Sequence, residues 1–396
     1  MTTEHGELER IARESLQKNI HQLGERVYLS AGAHQFKSLW TRDFCWASRG
    51  LFALNRADVV RSHLEALIEC LRPSDGLVPR VMDCMSPRLR VAQASFWSLF
   101  GVACEIPLRA PIAHEYQDEH GTEAIDSNIL VLLTALDYLK NTGDTTWWNQ
   151  RADEFTKIYR FYDTRRDPAD GLIVQPKFSD WQDSVTRIGK AFYTNLLYYI
   201  VSARLVGVAG FDVSVDALRI LRASILVKFF DSRHGIFRSL YQGEQASPYF
   251  SLDGNLLALD LGFFKTDEEN AALYEKLRKS PLWEGSMGWP GANTFPDYPR
   301  SWRSFAVRLA GVGHYHDRIY WSWLIALSAK IAKTRNDLAE YERIVRKLAE
   351  LAARDRAIVE VYAPKSSLPP YRSWLYRSET PFSWGAAFVL DALRAV

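Results

Sequence analysis

The sequence predicts an all-α fold in which about six helical hairpins close into a ring. Apolar residues recur at helical spacing in segment after segment of the 396-residue chain. Alternating stretches of the β type are few and short, such as GLIVQP at 171–176 and AIVEVYA at 357–363. The connections are of two kinds, tight turns and long loops rich in Pro, Gly and aromatic residues. These observations argue against a parallel sheet with crossover helices and favour paired helices.

The helices follow one another along the whole chain. In the first half the apolar spacing predicts them near 6–22, 46–71, 91–104, 122–141, 146–165 and 190–207. In the second half it predicts them near 213–230, 252–263, 267–278, 319–333, 338–354 and 381–395. About twelve helices are the number that about six hairpins require.

The long loops are expected to carry function. Tight turns include NTGD at 141–144 and VAGFD at 208–212. Long loops cover 23–45, 72–90, 105–121, 166–189, 231–251, 279–318 and 355–380. In a ring of hairpins the tight turns fall on one face and the long loops on the other, where they would wall a central cleft. No Pro/Ser-rich linker divides the chain, so we expect a single domain over 1–396.

Charge and composition exclude several classes of partner. Lys plus Arg number 49 against 47 Asp plus Glu, and this balance provides no field for nucleic acid or anionic lipid. The polar N-terminal stretch and the lack of a bilayer-length apolar run predict a soluble, cytoplasmic protein. The cysteines lack C-x-x-C spacing, so we expect free thiols and neither a metal nor another cofactor; they are Cys45, Cys70, Cys84 and Cys104.

Aromatic residues are abundant, with 13 Trp, 18 Tyr and 20 Phe. Aromatic faces stack on the apolar faces of sugar rings, so this excess suggests a carbohydrate cleft. Large core aromatics explain part of it equally well.

Cleavage of a glycosidic bond takes one carboxylic acid to protonate the leaving oxygen and one carboxylate to activate water or attack carbon. Three acidic groups among aromatics in the long loops suit this chemistry. They are Asp43 in SLWTRDFCW, the acidic pair of FSDWQDSVTRIGK at 178–190, and Glu360 in IVEVY.

The second group contains Asp180 and Asp183 on either side of Trp181. A neighbouring aromatic ring raises the pKa of a carboxyl, as a general acid near neutrality requires. Capping of the next helix is the alternative role, but both residues lie several positions before its start near 190. Chemistry alone does not decide whether Asp180 or Asp183 is the general acid.

Glu360 ends an apolar stretch and is the candidate general base, although a lone Glu in a loop is usually a solvated charge. Glu379 is its rival. Arg42 and Asp43, between Trp40 and Trp46, fit an ion pair as well as a sugar contact.

The segment GHYHDRIYWSW at 313–323 contains His314, His316 and Asp317. This spacing is weak evidence for a metal site. Hydrogen bonding to a sugar fits the flanking Tyr315 and Trp321 better, so no metal is expected.

The order of these motifs resembles that of the (α/α)6-barrel glycosidases, which include the glucosidase domain of glycogen-debranching enzymes, alkaline/neutral invertases and trehalase-like enzymes. LWTRDFCWASRGLF looks like their W-x-R-D segment, whose Asp contacts the sugar, and GLVPRV at 76–81 is similar to their G-[LI]-[IV]-P turn. EAIDSNILVLLTALDYLKNTGD at 123–144 resembles the stretch that places an Asp, here Asp126, at the cleft.

Two further matches imply catalytic roles. DWQDSVTRIGKAFYTNLLYY looks like the general-acid segment, and counting back from Arg187 and Gly189 puts the acid on Asp183. VEVY followed by FSWGAAFVLDAL resembles the general-base region and puts the base on Glu360. YHDRIYWSW is similar to the Y-H-x-G-x-x-W-P-W element, except that Asp317 and Ser322 depart from it, as does Arg318.

The resemblance implies an inverting α-glycosidase of small glucosides or short oligosaccharides, with its two carboxyl groups about 6.5–9.5 Å apart. The expected sugar-binding residues are Trp40, Arg42, Asp43, Asp126, Trp181, Arg187, Tyr315, His316 and Trp321. Alternatives are a sucrose-hydrolysing enzyme, a sugar epimerase or isomerase that uses paired histidines on the same fold, and a binding protein that has lost its chemistry.

Overall fold

The computed structural model describes residues 3–102, 106–243 and 245–395, and it is mostly helical, as predicted. The helices in chain order are α1 (Thr3–Lys18), α2 (Thr41–Ala53), α3 (Ala57–Glu69), α4 (Pro87–Leu99), α5 (Asp126–Thr142), α6 (Thr145–Gln150), α7 (Ala152–Arg160), α8 (Phe192–Leu205), α9 (Val215–Phe229), α10 (Leu252–Asp260), α11 (Asp267–Arg278), α12 (Pro281–Glu284), α13 (Phe305–Leu309), α14 (Ser322–Thr334), α15 (Leu338–Asp355) and α16 (Ser383–Arg394). In this part of the chain, none is long and apolar enough to cross a bilayer.

Six helices pack in a closed cycle. Helices α2, α5, α8, α10, α14 and α16 each contact the next, and α16 contacts α2. They are buried along most of their length; in α8 and α14 almost every residue is covered. Helices α1, α3, α7, α9, α11 and α15 pack outside this cycle. The strongly one-sided apolar pattern of α15 suits a helix with one face in water.

Short strands lie at one end of the inner cycle. They are β1 (Ile20–Leu23), β2 (Arg26–Leu29), β3 (Leu39–Trp40), β4 (Val81–Asp83), β5 (Ala113–Glu115), β6 (Lys190–Ala191), β7 (Phe230–Asp231), β8 (Ile236–Phe237), β9 (Leu240–Gln242), β10 (Gln245–Ala246), β11 (Phe250–Ser251), β12 (Thr294–Phe295), β13 (Tyr320–Trp321) and β14 (Val361–Tyr362). All pairings are antiparallel: β1 with β2, β3 with β4 with β5, β6 with β9 with β10, β7 with β8, β11 with β12, and β13 with β14.

The connections follow one rule. Each connection that leads into an inner helix is long, and each one that leaves an inner helix for an outer one is short. The long connections therefore gather at the N-terminal ends of the inner helices, as the loop lengths predict. Strands β3, β6, β11 and β13 run directly into α2, α8, α10 and α14, which fixes where these helices begin.

Three buried asparagines fasten long connections to the first turns of inner helices. Asn195 Oδ1 accepts from the amide of Ile173, and its Nδ2 donates to the carbonyl of the same residue. Asn255 makes the same two bonds with Phe237. Asn128 accepts from one loop amide and donates to two carbonyls in the same manner. Each amide satisfies backbone groups that would otherwise be buried without partners.

The structure differs from the sequence prediction at several elements. The single helix predicted over 46–71 is two helices, α2 and α3, which are separated at Asn55 with φ of 58°. The hairpin β1–β2 lies partly where a loop was expected. GLIVQP forms isolated bridges only, and AIVEVYA contributes β14. Cys45, Cys70 and Cys84 are free thiols, and of these Cys45 is buried whereas Cys70 and Cys84 are partly exposed; Cys104 lies outside the described residues.

Candidate active site

Asp183 lies at the long-loop end of the inner helices, where two arginines approach it. Arg42 Nη1 from α2 and Arg80 Nη2 from the connection before β4 each donate to Asp183 Oδ2 at 3.1 Å. The side chain of Asp183 keeps 26% of its surface exposed, so it faces open space. Burial raises its pKa, but the nearby His316 imidazole and the two guanidinium groups outweigh burial and hold the pKa well below its usual range. The raised pKa that the neighbouring Trp181 predicted for an acid at this position is therefore wrong for Asp183 in the unliganded protein, because three basic side chains surround the carboxylate.

Glu360 lies beside the start of α14, since it directly precedes β14 and its carbonyl accepts from the amide of Ser322 at 3.0 Å. Its carboxylate accepts from the hydroxyl of Tyr315, from the hydroxyl of Tyr376 at 2.6 Å and from the amide of Glu379 at 2.9 Å. Burial raises the pKa of Glu360, and these donors oppose the rise only in part. Glu360 is therefore a carboxylate that accepts a proton more readily than an exposed one.

Two consecutive residues, Tyr315 and His316, lie beside the carboxyl groups of Glu360 and Asp183, respectively. Tyr315 bonds Glu360, whereas His316 Nε2 lies 3.8 Å from Asp183 Oδ1, too far for a hydrogen bond. Asp43 in the first turn of α2 lies within electrostatic reach of both carboxylates, and burial raises its pKa to about 7. Three carboxyl groups with different proton affinities thus share one region.

Tryptophans form the floor of this region. Trp181 contacts His316 edge-on at a ring separation of 5.1 Å, and it meets Trp321, Trp323 and Trp384 in the same geometry. His316 in turn stacks parallel on Trp321. A rigid aromatic floor of this kind fixes the His316 imidazole relative to Asp183.

Several buried polar atoms near the two carboxylates have no hydrogen-bond partner among the described residues. They are Trp40 Nε1, both ring nitrogens of His316, and Asp253 Oδ1. Asp253 belongs to the first turn of α10, and its other oxygen accepts from Trp181 Nε1. Buried polar atoms are normally paired, so these groups remain available to a bound molecule.

Three of the predicted sugar contacts are covered in this structure. Asp126 has no exposed surface, because it forms a bidentate pair with Arg42 at 2.8 and 3.0 Å. Arg187 is turned inward onto Asp180 at 2.7 Å. Trp181 is buried in the aromatic floor. These side chains support the site from behind, whereas Trp40, Asp43 and Tyr315 are only half-buried, and Arg42, His316 and Trp321 are nearly covered.

The two open alternatives for catalytic residues have structural partners. Asp180 accepts from the side chains of Arg187 and Gln175 and from the amide of Gln182, so its oxygens are occupied. Glu379 accepts from the amides of Ala33, His34 and Phe36 and thereby holds the loop before β3. Glu379 therefore anchors loop backbone, whereas Asp180 mainly holds the side chains of Arg187 and Gln175.

The histidines of 313–323 separate in space. His314 lies with Asp297 and Asp317, and one ligand atom of each falls within 4.8 Å of the others. Arg303 Nη2 lies 2.9 Å from Asp317, and its Nη1 lies 3.0 Å from His314, so a guanidinium already supplies positive charge to this group. His316 belongs to the Asp183 region.

Sequence reasoning missed Arg80, Tyr376 and Asp253 as members of this region. Each contacts a residue outside its own motif: Tyr376 lies 16 residues after Glu360, Asp253 lies 72 residues after Trp181, and Arg80 lies 103 residues before Asp183. The one signal was position, because Arg80 follows the G-[LI]-[IV]-P turn and Asp253 opens an inner helix as Asp126 does.

No protein-family model matches the chain, and no curated relative matches it. Solved structures do. A wild-type glycosidase has a TM-score of 0.65 at 14% identity, with 100% of this chain and 99% of that chain covered. A glycosidase variant in complex with glucose has a TM-score of 0.67 at 14% identity, with the same coverage.

Two further structures extend this likeness. The mannosylglycerate hydrolase of glycoside hydrolase family 63 from Thermus thermophilus, solved with Tris and D-glycerate, has a TM-score of 0.63 at 15% identity, over 97% of this chain and 99% of that one. The rhamnosidase from Klebsiella oxytoca with rhamnose bound has a TM-score of 0.65 at 13% identity over 98% of this chain; the chain spans 63% of the rhamnosidase. The protein therefore has the fold of solved glycoside hydrolases.

Proposed function

We propose that this chain is an inverting glycoside hydrolase that cleaves an α-glycosidic bond in a small glucoside or short oligosaccharide. The observation that carries the proposal is the approach of Asp183 and Glu360 to the adjacent residues His316 and Tyr315. Two carboxyl groups of unlike environment around one region are what glycoside hydrolysis requires. The closed helical cycle with long loops at one end supports a single (α/α)6-barrel domain.

The two carboxyl groups take opposite roles. Asp183, in its protonated form, donates to the leaving oxygen as the bond between that oxygen and the anomeric carbon breaks. Glu360 takes a proton from a water whose oxygen bonds to the anomeric carbon on the other face of the ring. The raised pKa of Glu360 favours this proton transfer.

Sugar hydroxyl groups supply the missing hydrogen-bond partners in this proposal. His316 and Trp40 present unpaired ring nitrogens, and half-buried Asp43 presents a carboxyl group. Half-buried Tyr315 offers aromatic surface next to Glu360, and nearly covered Trp321 packs against the Tyr315 ring. Asp126, Trp181 and Arg187 act from behind by holding Arg42, His316 and Asp180.

The contents of the solved relatives support a small substrate, because one contains glucose and one contains D-glycerate. Sucrose hydrolysis is the alternative within the same class. An isomerase with paired histidines has less support, since His314 bonds Asp317 while His316 faces Asp183.

The experiment measures sugar release from sucrose, trehalose, maltose, isomaltose and glucosylglycerate. We expect one substrate to turn over and the rate to fall about 10²–10⁴-fold in both Asp183→Asn and Glu360→Gln. Asp297→Asn, the same substitution at a loop carboxylate paired with Arg318, is the control and keeps the wild-type rate. Sugar interconversion without hydrolysis, or full activity in both variants, would contradict the proposal.

A further inference from the structure

The two arginines on Asp183 are held very differently. Arg42 donates from Nε and Nη2 to the fully buried Asp126 and from Nη1 to Asp183, so three of its donors are fixed. Among the residues that the structure describes, the side chain of Arg80 makes one hydrogen bond, from Nη2 to Asp183, and its guanidinium lies 5.2 Å from the centre of the Trp40 ring. Arg42 is therefore a fixed part of the site, whereas Arg80 can leave Asp183 by breaking a single bond.

The charges of the site differ between the resting protein and a working hydrolase. With Asp183 ionised, Arg42 is balanced by Asp126 and Arg80 by Asp183. A general acid must carry a proton, and a protonated Asp183 would leave Arg80 without a counter-charge at a site where its side chain is only 12% exposed. Some other anion has to balance Arg80 in the reactive complex.

We propose that Arg80 binds an oxyanion on the substrate, a carboxylate or a phosphate, and that this contact draws its guanidinium from Asp183, which then takes up the proton it donates. The inference rests on the proposed function, because it gives the acid its proton and names the substrate as an anionic glycoside. Arginine suits both oxyanions, since its donors match their geometry.

The groups around Asp183 determine the size of this effect. They are Arg42 and Asp43 from α2, Arg80 from the connection before β4, Asp126 from α5, and His316 from the connection before β13. Of the two arginines, Arg42 is held by three hydrogen bonds and Arg80 by one. Loss of the Arg80 charge raises the pKa of Asp183, while Arg42 stays bound to Asp126 and Asp183, and His316 stays beside the carboxylate.

Calorimetry on the whole protein tests the inference without turnover. The probes are D-glycerate and glycerol 3-phosphate, with glycerol as the neutral control, in two buffers of different ionisation heat near neutral pH. The proton count is taken from D-glycerate, because its carboxylate stays ionised at this pH whereas a phosphate monoester itself titrates there. We expect wild type to bind an oxyanion with a net uptake of protons. Arg80→Gln weakens binding about 10- to 100-fold. Asp183→Asn still binds but takes up no proton, and Arg318→Gln, which removes an exposed arginine paired with Asp297, behaves as wild type.

Kinetics provide a second test with opposite signs. The two substrates are glucosylglycerate and its uncharged counterpart glucosylglycerol. Arg80→Gln should lower kcat/KM for glucosylglycerate. For glucosylglycerol the same substitution should raise kcat/KM, or extend the pH profile of kcat/KM to higher pH. A merely structural role for Arg80 would lower both. Absence of saturable oxyanion binding by wild type, or binding without proton uptake, overturns the inference. Proton-coupled binding without hydrolysis of any glycoside would instead contradict the proposed function alone.

Discussion

Asp43 shows how the site uses a destabilised carboxyl group. Burial, together with Glu360 and Asp183 nearby, raises its pKa from 3.8 to about 7. Because the folded pKa is the higher one, the stability that Asp43 contributes is complete below about pH 4 and is lost as the pH rises through 7. A neutral amide at this position avoids the loss.

Asp43→Asn should therefore raise the free energy of unfolding by about 2 kcal/mol at about pH 8, while it removes the carboxyl group proposed to bind sugar. The difference from wild type should fade below about pH 4. Denaturant unfolding of both proteins across this pH range measures it. A difference that does not change with pH would show that Asp43 is not titrated in this way.

The residues proposed as acid and base come from short motifs that enclose them, and their catalytic roles stay predictions. Asp183 and Glu360 lie in aromatic-rich segments, and the structure places both at the long-loop end. Arg80 was not predictable as a partner of Asp183, because a pairing across 103 residues leaves no trace in local spacing. The inward turn of Arg187 onto Asp180 has the same explanation, since burial depends on the assembled ring.

At the scale of elements, the buried side chains of Asn128, Asn195 and Asn255 hold the long connections against the inner helices. Asn255→Ala should lower the free energy of unfolding by about 3 kcal/mol, because the amide and carbonyl of Phe237 lose their side-chain partner inside the protein. Asn270→Ala on α11 is the matched control, since its side chain donates only to nearby carbonyls, and it should cost less than about 1 kcal/mol. Equal effects of the two substitutions on the free energy of unfolding, measured by chemical denaturation, would show that Asn255 does not hold the connection in this way.

Elements were predictable where apolar spacing was continuous. Helices α8, α14 and α15 fall where the pattern places them, since burial against neighbours reinforces the helical period. The break between α2 and α3 was missed, because Asn55 interrupts the helix through its backbone conformation and leaves the apolar pattern intact. The two-residue strands are too short for alternation to reveal.

At the scale of the whole molecule, closure depends on close packing of α2 against α16. A Cβ atom at Gly50 would lie 2.6 Å from the Cα of Ala387. Gly50→Ala should therefore lower the free energy of unfolding by about 1–3 kcal/mol, although alanine favours an isolated helix.

Gly6→Ala in α1 is the matched control for closure. Nothing lies within 4 Å of its added Cβ atom, so helix propensity alone acts and should raise stability by up to about 1 kcal/mol. Thermal unfolding of both variants gives the two signs. Stabilisation by Gly50→Ala would mean that the first and last inner helices are not in close contact.

We propose that Asp183 and Glu360 act together in a single displacement at an anomeric carbon. Proton NMR of the first sugar formed from the substrate that turns over tests this mechanism. We expect the β-anomer from an α-glycoside, before mutarotation, and no product on the same time scale with Glu360→Gln. The α-anomer as first product, or an unchanged rate with Glu360→Gln, would contradict this account.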